Sequence, residues 1–275
     1  MWLIASAAYA ASCCVGSTTS LPLRVGGSEQ AVVGLTGAAE VGLARWDRAG
    51  AVVGSGLAEQ AASVELGAGL RLGGQWQVGL ALPARFTHRA ASVSEGSGGG
   101  VGDLRAAALW EPVAENVGGS WVPVVRGGVR VPTGRDWTES EAVLLQDVTG
   151  LQGTAGLIGV QIERLQGGTP AFVGLQGELG SADDRLQPVL SPSIGVGRSL
   201  SERWTVLGSF AWTASWAPTS ATGGFTARPT AGARLVHGGD GWRGWISARC
   251  DVPVPGLGRS VLQLGSLGGG LAKVF

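Results

Sequence analysis

Alternation of apolar residues with small or polar ones over residues 75–87 is the feature that most constrains the fold of this chain. Successive side chains of a β-strand point to opposite faces, so the pattern predicts a strand that separates two unlike media. Strands of soluble proteins usually end after about five or six residues. The length therefore favours a membrane-crossing strand, whose two faces carry Trp76, Val78, Leu80, Leu82, Ala84 and Phe86 on one side and Gln75, Gln77, Gly79, Ala81, Pro83, Arg85 and Thr87 on the other.

The same pattern occurs in other parts of the chain. Residues 61–72 alternate in the same way and are separated from the next strand by Gly73-Gly74, which predicts a two-residue hairpin turn that needs positive φ. Trp204 and Trp216 share a face twelve positions apart. A tilted strand of that length rises about 30 Å, which is the distance between the two aromatic girdles of a membrane barrel.

Extended along the chain, the alternation predicts an all-β protein, a transmembrane antiparallel up-and-down β-barrel of about 12 strands. The connections alternate in length, with long loops at 45–60, 90–100, 134–149, 181–187, 217–225 and 253–259 and the glycine-rich residues 94–100 inside one of them. In the last strand, Gly268-Gly269-Gly270 is a candidate bulge that would reset the register. The strands are expected near 31–44, 61–72, 75–89, 101–111, 121–133, 150–164, 170–180, 188–200, 203–216, 226–236, 242–252 and 260–275.

Composition excludes the main alternatives. Hydrophobic residues make up 44% of the chain, but no run of about 18 apolar residues occurs, which argues against membrane-spanning helices. The 49 glycines also disfavour long helices, since each interior glycine costs about 1 kcal/mol relative to alanine. The 20 basic and 20 acidic residues leave no positive excess for binding nucleic acid. Eleven tryptophans suit the two membrane interfaces.

The termini predict export to the bacterial outer membrane. Residues 1–20 are interpreted as a signal peptide or flexible amino terminus, with Ala8-Tyr9-Ala10 as the cleavage pattern and Cys13 as an alternative lipoprotein site. Residues 21–275 then form a single barrel domain. The expected partners are the lipid bilayer, an unidentified small solute, and the barrel-assembly machinery, which would receive the carboxyl-terminal strand ending at Phe275.

Charged residues fall repeatedly on the face opposite the apolar one. They form either a salt-bridged ladder that fills the lumen or a charged constriction that sorts solutes. A plausible register also places Arg105 near Arg126, with Asp103 diagonal to it. The candidate lumen residues are Glu40, Glu65, Arg71, Arg85, Asp103, Arg105, Arg126, Arg130, Glu178, Arg228, Arg234, Arg249 and Asp251.

Material for catalysis is scarce. His88 and His237 are the two histidines, and the strand order puts them at opposite ends of the barrel, so they cannot share a site. The chain has no nucleophile elbow, phosphate-binding loop or zinc-binding helix motif. We therefore expect no catalytic residues, no metal and no cofactor. A membrane-embedded lipid hydrolase that uses His88 as its base is the alternative enzyme.

Two short motifs carry a family resemblance. Gly102-Asp103-Leu104 and Val131-Pro132-Thr133-Gly134 lie one hairpin apart. They resemble landmarks of the outer-membrane transporter family linked to the meta pathway of phenol degradation, most closely over about residues 98–180, although Val131 stands where a leucine is usual. The resemblance implies an outer-membrane barrel that takes up small, hydrophobic or aromatic molecules. The predicted function is therefore a channel or transporter, and a structural, non-conducting barrel is the alternative.

Overall fold

The computed structural model describes residues 25, 29–46, 52–53, 57–91, 94–112, 121–135, 139–142, 146–150, 153–164, 168–182, 185–216, 225–239, 241–252 and 262–275. The strands in these ranges are β1 (Ala31–Trp46), β2 (Val52–Val53), β3 (Leu57–Leu72), β4 (Trp76–Ala91), β5 (Ser94–Val101), β6 (Leu104–Trp110), β7 (Val122–Val131), β8 (Ala155–Arg164), β9 (Ala171–Ala182), β10 (Arg185–Ser199), β11 (Trp204–Trp216), β12 (Phe225–Gly239), β13 (Trp242–Asp251) and β14 (Leu262–Val274). Among the described residues, no helix is long and apolar enough to span a membrane.

The strands form one closed antiparallel barrel. Neighbours along the chain pair with each other, and the sheet closes where β14 pairs with β1 along residues 32–45. Both β5 and β6 pair with β4, one above the other, so they occupy a single position in the wall. The two residues of β2 pair with the end of β1. The wall therefore has twelve strand positions, which confirms the fold predicted from the alternation.

Two of the predicted long loops are wrong, because the structure has strands over most of their residues. The glycine-rich residues 94–100 are not a loop, because they belong to β5 and pair with β4. Similarly, β9 and β10 extend to Ala182 and Arg185, which leaves only residues 183–184 between them. Glycines and short polar residues lack a side-chain pattern, so the alternation could not mark these extensions as strands. β3, β4 and β5 thus form a three-stranded sheet at the long-loop end of the barrel.

The bulge predicted in β14 is absent, and the register shift occurs in the neighbouring strand β1. The β13–β14 register is continuous from Trp242↔Lys273 to Cys250↔Gly265, so Gly268-Gly269-Gly270 holds no bulge. The β1–β14 register shifts instead between Gly42 and Ala44. Lys273 keeps its place on the outer face at the short-turn end, where its ammonium lies 5.0 Å from the Trp242 ring centre. An interfacial lysine can reach the polar headgroups from there.

The outer face of the barrel is apolar. Trp76, Leu80 and Phe210 are 52%, 54% and 41% exposed, and valine, leucine and isoleucine side chains of other wall strands are comparably exposed. Water would penalise such a continuous apolar band by about 25 cal/mol per Å², whereas hydrocarbon accepts it. Trp76 and Trp110 stack with ring centres 6.2 Å apart at the short-turn end, as an interfacial girdle requires. The outer face is therefore the lipid-facing surface.

Short turns close one end of the barrel. Gly73 has a φ of 76° in the turn between β3 and β4, and Gly241 has a φ of 71° between β12 and β13. The positive φ predicted for this hairpin occurs at Gly73, but the predicted two-residue turn is wrong, because Leu72 pairs with Trp76 and the turn has three residues, 73–75. Residues 1–20, with the predicted cleavage pattern, lie outside the described part of the chain. The side chain of Trp216, the second of the paired tryptophans, also lies outside it.

Candidate functional site: the barrel lumen

All thirteen predicted lumen residues lie on the inner face of the wall. Each has the strand parity opposite to the exposed apolar residues, and ion pairs join many of them across strands. Glu65, for example, lies between the outward Val64 and Leu66 of β3 and forms an ion pair with Arg105 of β6. The contacts between these residues come from the structure, and their role as the lining of a solute path stays a prediction.

A chain of five charged groups runs along the inner wall from β13 to β4, in the half of these strands nearer the long loops. Glu40 of β1 forms ion pairs with Arg85 of β4 at 3.0 Å and with Arg249 of β13 at 3.7 Å. Arg85 also contacts Glu59 of β3 at 3.5 Å, and Glu59 pairs with Arg89 at 2.9 Å. Sequence reasoning missed Glu59, because the predicted strand at 61–72 began too late to include it. Arg89 shares the face of Arg85 in the predicted strand at 75–89, and extending the alternation by two residues would have identified it.

Two further arginines lie on the inner face of β12. Arg228 pairs with Asp251 at 3.0 Å. Arg234 lies opposite Ser247 and has no ion-pair or hydrogen-bond partner among the described residues. These two residues extend the row of guanidinium groups along the wall that is formed by β12, β13 and β1.

The predicted proximity of Arg105 and Arg126 is wrong. Arg105 lies opposite Arg130, and Arg126 lies opposite Leu109, so the β6–β7 register differs by four residues from the expected one. A shift by an even number of residues keeps every side chain on its own face, so alternation alone cannot distinguish the two registers. Asp103 consequently contacts Arg130.

The two sequence motifs meet at the long-loop end. Arg130 donates to Asp103 at 2.8 Å and to Glu178 of β9 at 3.1 Å, and all three side chains are largely buried. The other Asp103 oxygen accepts the Gly134 backbone N–H at 3.1 Å. Thr133 donates to the Gly102 carbonyl at 2.8 Å and accepts the Leu104 N–H at 2.9 Å. The motifs thus form a latch that turns the chain inward after β7.

The chain after this latch packs against the inner face of β5. A Cβ added to Gly98 would lie 2.8 Å from the Asp147 backbone, so a glycine is needed for this approach. Thr149 donates to the Val101 carbonyl at 2.7 Å, and Arg135 pairs with Asp147 at 2.9 Å. The hydrogen bond from Ser140, followed by that from Arg135, lowers the pKa of Asp147 from 3.8 to about 2. This inward segment, residues 134–135 with 146–150, narrows the long-loop end.

Residues that the sequence analysis missed fill the short-turn end. Gln77 of β4 accepts the Val25 N–H at 2.8 Å and donates to Glu111 at 3.0 Å. Arg71 donates to the Val25 carbonyl at 2.9 Å and pairs with Glu111 at 3.2 Å. Gln77, Glu111 and Val25 are almost completely buried. Val25 is therefore held inside this mouth of the barrel.

More polar groups line the same end. Arg126 donates to Gln161 at 2.9 Å, and Gln161 donates to the buried Glu163 at 2.9 Å. Arg243 pairs with Glu29 of the chain before β1. Their burial contrasts with the partly exposed Arg228 and Arg249, which lie nearer the long-loop ends of β12 and β13. The lumen is therefore densely filled at the short-turn end and more open to water around these arginines.

The two histidines occupy opposite ends of the outer face, as predicted. The His237 ring contacts the Trp204 ring at the short-turn end, with ring centres 4.6 Å apart and the ring planes tilted by 57°. The Nδ1 atom of His88 lies 2.9 Å from the Ser97 hydroxyl near the long-loop end, and no carboxylate contacts the other ring nitrogen among the described residues. A hydrolase triad needs a third group that orients the histidine. No group of metal-ligating side chains occurs in the described part of the chain.

The comparisons with known proteins concern the fold. No family model matches the chain, and no curated protein matches its sequence. An outer-membrane channel from Pseudomonas putida F1 superposes with a TM-score of 0.72 at 12% identity, covering 95% of this chain and 100% of that chain. The translocator domain of the autotransporter NalP from Neisseria meningitidis gives 0.52 at 13% identity, over 98% and 93% of the two chains.

A third solved structure, the NanC porin, superposes with a TM-score of 0.54 at 9% identity, covering 88% of this chain and 98% of that chain. Identities this low show a shared fold. Together with the apolar outer face, they place this chain among the β-barrels of the bacterial outer membrane. The expected link to phenol degradation stays a prediction.

Proposed function

We propose that this outer-membrane barrel is a channel for small solutes. The observation that carries the proposal is the set of lumen arginines Arg85, Arg228 and Arg249, whose side chains remain about one third exposed although they lie inside a closed wall. Water that reaches these groups defines a polar path through the apolar membrane. The predicted lumen residues, from Glu40 to Asp251, are proposed to line this path.

The two ends of the lumen limit the size of the solute. The inward segment at Asp147 narrows one end, and the buried Val25 with Gln77 and Glu111 narrows the other. Passage therefore requires a small molecule and movement at the short-turn end. We propose that the solutes are small hydrophobic or aromatic molecules, which is the class of solute implied by the family that the two motifs resemble.

A non-conducting barrel is the second candidate. Its support is the dense packing at the short-turn end, where Val25, Gln77, Glu111 and Glu163 are almost fully buried. If these contacts are permanent, the barrel is a plugged structural element. The two functions differ in one measurable property, which is ion conductance.

The test is single-channel recording of the purified protein in planar bilayers. The channel proposal predicts discrete conductance steps for the wild type, and larger steps when Arg126→Ala and Arg130→Ala remove two bulky inward side chains. Gly156→Ala is a matched control, because a Cβ there would meet nothing within 4 Å. Silence of the wild type and of both arginine variants would favour the plugged barrel.

Insertion into the membrane is proposed to begin at the carboxyl-terminal strand. β14 closes the barrel against β1, and Phe275 is exposed at the short-turn end, where its N–H donates to the Ala31 carbonyl at 3.0 Å. We propose that the barrel-assembly machinery receives this strand. Deletion of Phe275 should then lower the yield of folded barrel in cells while refolding into detergent is unchanged.

A further inference from the structure

In four of the ion pairs in the lumen, the arginine side chain is more exposed to water than the carboxylate side chain. Arg249 is 39% exposed and its partner Glu40 is 15% exposed. Arg228 is 33% exposed and its partner Asp251 is 7% exposed. Arg85 and Arg89 are likewise more exposed than Glu59. In each of these four pairs the guanidinium is more exposed to the lumen than the carboxylate, whereas Glu178 and Glu29 are more exposed than their partners Arg130 and Arg243.

This asymmetry decides the sign of the charge that a solute meets. The chain has 20 basic and 20 acidic residues, so its formal charge predicts no preference. A solute in the lumen nevertheless approaches the guanidinium groups more closely than the carboxylates behind them, and Coulomb energy falls with distance. Arg234, which has no partner among the described residues, adds a further positive charge beside this row.

Small residues leave space beside Arg249. It lies opposite Gly232 of β12 and opposite Ser266 of β14. Arg234 is two residues further along the same face of β12, diagonal to Arg249, which places their backbones about 7 to 8 Å apart. Ser247 lies between the two arginines on β13. A carboxylate can accept two parallel hydrogen bonds from one guanidinium, and a second guanidinium at this spacing can share its charge.

We propose that the lumen selects anions, and that its preferred solutes are small organic carboxylates held between Arg234 and Arg249. This inference rests on the proposed channel function and assigns a substrate class to it. The carboxylates Glu40 and Asp251 keep the arginines in place and lie behind them. Solutes with a carboxylate and an apolar ring are compatible with the neighbouring small, weakly polar wall.

The first measurement is the reversal potential in a potassium chloride gradient. The wild type should pass chloride in preference to potassium, and the double variant Arg234→Gln and Arg249→Gln should lose most of this preference. Arg198→Gln is the matched control, because Arg198 is exposed on the outer face of β10. It should keep the wild-type selectivity.

The second measurement does not depend on conduction. Benzoate binding to the detergent-solubilised barrel is followed by calorimetry, and the double variant should bind at least about tenfold more weakly, since a charge-assisted hydrogen bond contributes about 1.5 to 3 kcal/mol. The folded state of each variant is checked by its heat-modifiable migration on a gel.

The outcomes separate the two proposals. A conducting wild type that prefers potassium, or a double variant with unchanged selectivity, overturns the anion path and leaves the channel intact. A silent wild type that binds benzoate through these arginines overturns the channel and keeps the anion site. A silent wild type without saturable benzoate binding overturns both.

Discussion

Substitution of Asp103 tests whether the two sequence motifs hold the loop inside the barrel. Asp103 is almost fully buried and accepts hydrogen bonds from Arg130 at 2.8 Å and from the Gly134 N–H at 3.1 Å. Asp103→Asn keeps the size of the side chain and removes its charge. Arg130 keeps Glu178 as a partner, so the variant weakens the latch without leaving an isolated buried charge.

The expected magnitude follows from these contacts. A hydrogen bond to a charged group contributes about 1.5 to 3 kcal/mol, so Asp103→Asn should lower the free energy of opening the segment after β7 by about 2 kcal/mol. That change corresponds to about a thirtyfold larger open population. Gly150→Ala should open the same segment by steric overlap, because its Cβ would collide with the Asp103 carboxylate and would lie 2.9 Å from the Gly134 backbone.

Limited trypsin digestion at Arg135 measures this opening. Cleavage follows the open population when opening and closing are fast, so both variants should be cut at least about tenfold faster than the wild type. Glu141→Gln is the control, since it changes an exposed carboxylate of the same loop. Cleavage of Asp103→Asn within twofold of the control would refute the latch.

Further predictions concern the lipid face, the inward loop, the short-turn end and the histidine. Leu80→Arg replaces an outer side chain that is 54% exposed with a charged one. It should lower the free energy of unfolding, measured by urea titration in lipid, by about 2 to 4 kcal/mol. An unchanged free energy of unfolding would show that this face is not in hydrocarbon. The pKa of Asp147 is lowered from 3.8 to about 2, so the stability that its carboxylate contributes is complete above pH 4 and is lost as pH falls through about 2. Conductance should therefore be constant from pH 7 to pH 4. A change in conductance at pH 5 would contradict this prediction. Gln77→Ala should speed amide hydrogen exchange at Val25 by about tenfold, and an unchanged rate would show that Gln77 does not hold this segment. His88→Ala should leave conductance unchanged, and neither it nor the wild type should release fatty acids from phospholipid; hydrolysis that disappears in the variant would identify an enzyme.

The parts of the fold set by side-chain alternation could be predicted from the sequence. In β4, the exposed Leu80 alternates with the buried Ala81, and the same parity extends around the wall. A strand between lipid and water must separate its side chains by polarity, so the sequence records the face of each residue. This is why the inward position of Glu40 and Arg249 could be predicted.

Register and glycine strands could not be predicted in this way. An even shift of β6 against β7 preserves every face, so only the structure shows that Asp103 and Arg130 are partners. The glycines of β5 have no side chains to alternate, and they are needed because the Asp147 backbone packs on Gly98. The alternation placed Gln77 on the inner face, but its contact with Val25 was missed because Val25 lies 52 positions away and outside any strand pattern.

Site-directed spin labelling along β4 tests the central claim most directly. Nitroxides are placed singly at residues 78–86 of the barrel in lipid bilayers, with Cys13, Cys14 and Cys250 replaced by serine, and their collision rates with oxygen and with a water-soluble nickel complex are measured. We expect the two rates to alternate out of phase with a period of two, with oxygen favoured at Val78, Leu80, Leu82 and Phe86 and nickel favoured at Arg85. Rates that change together along the strand, or nickel access at Leu80, would contradict a wall with lipid on one side and water on the other.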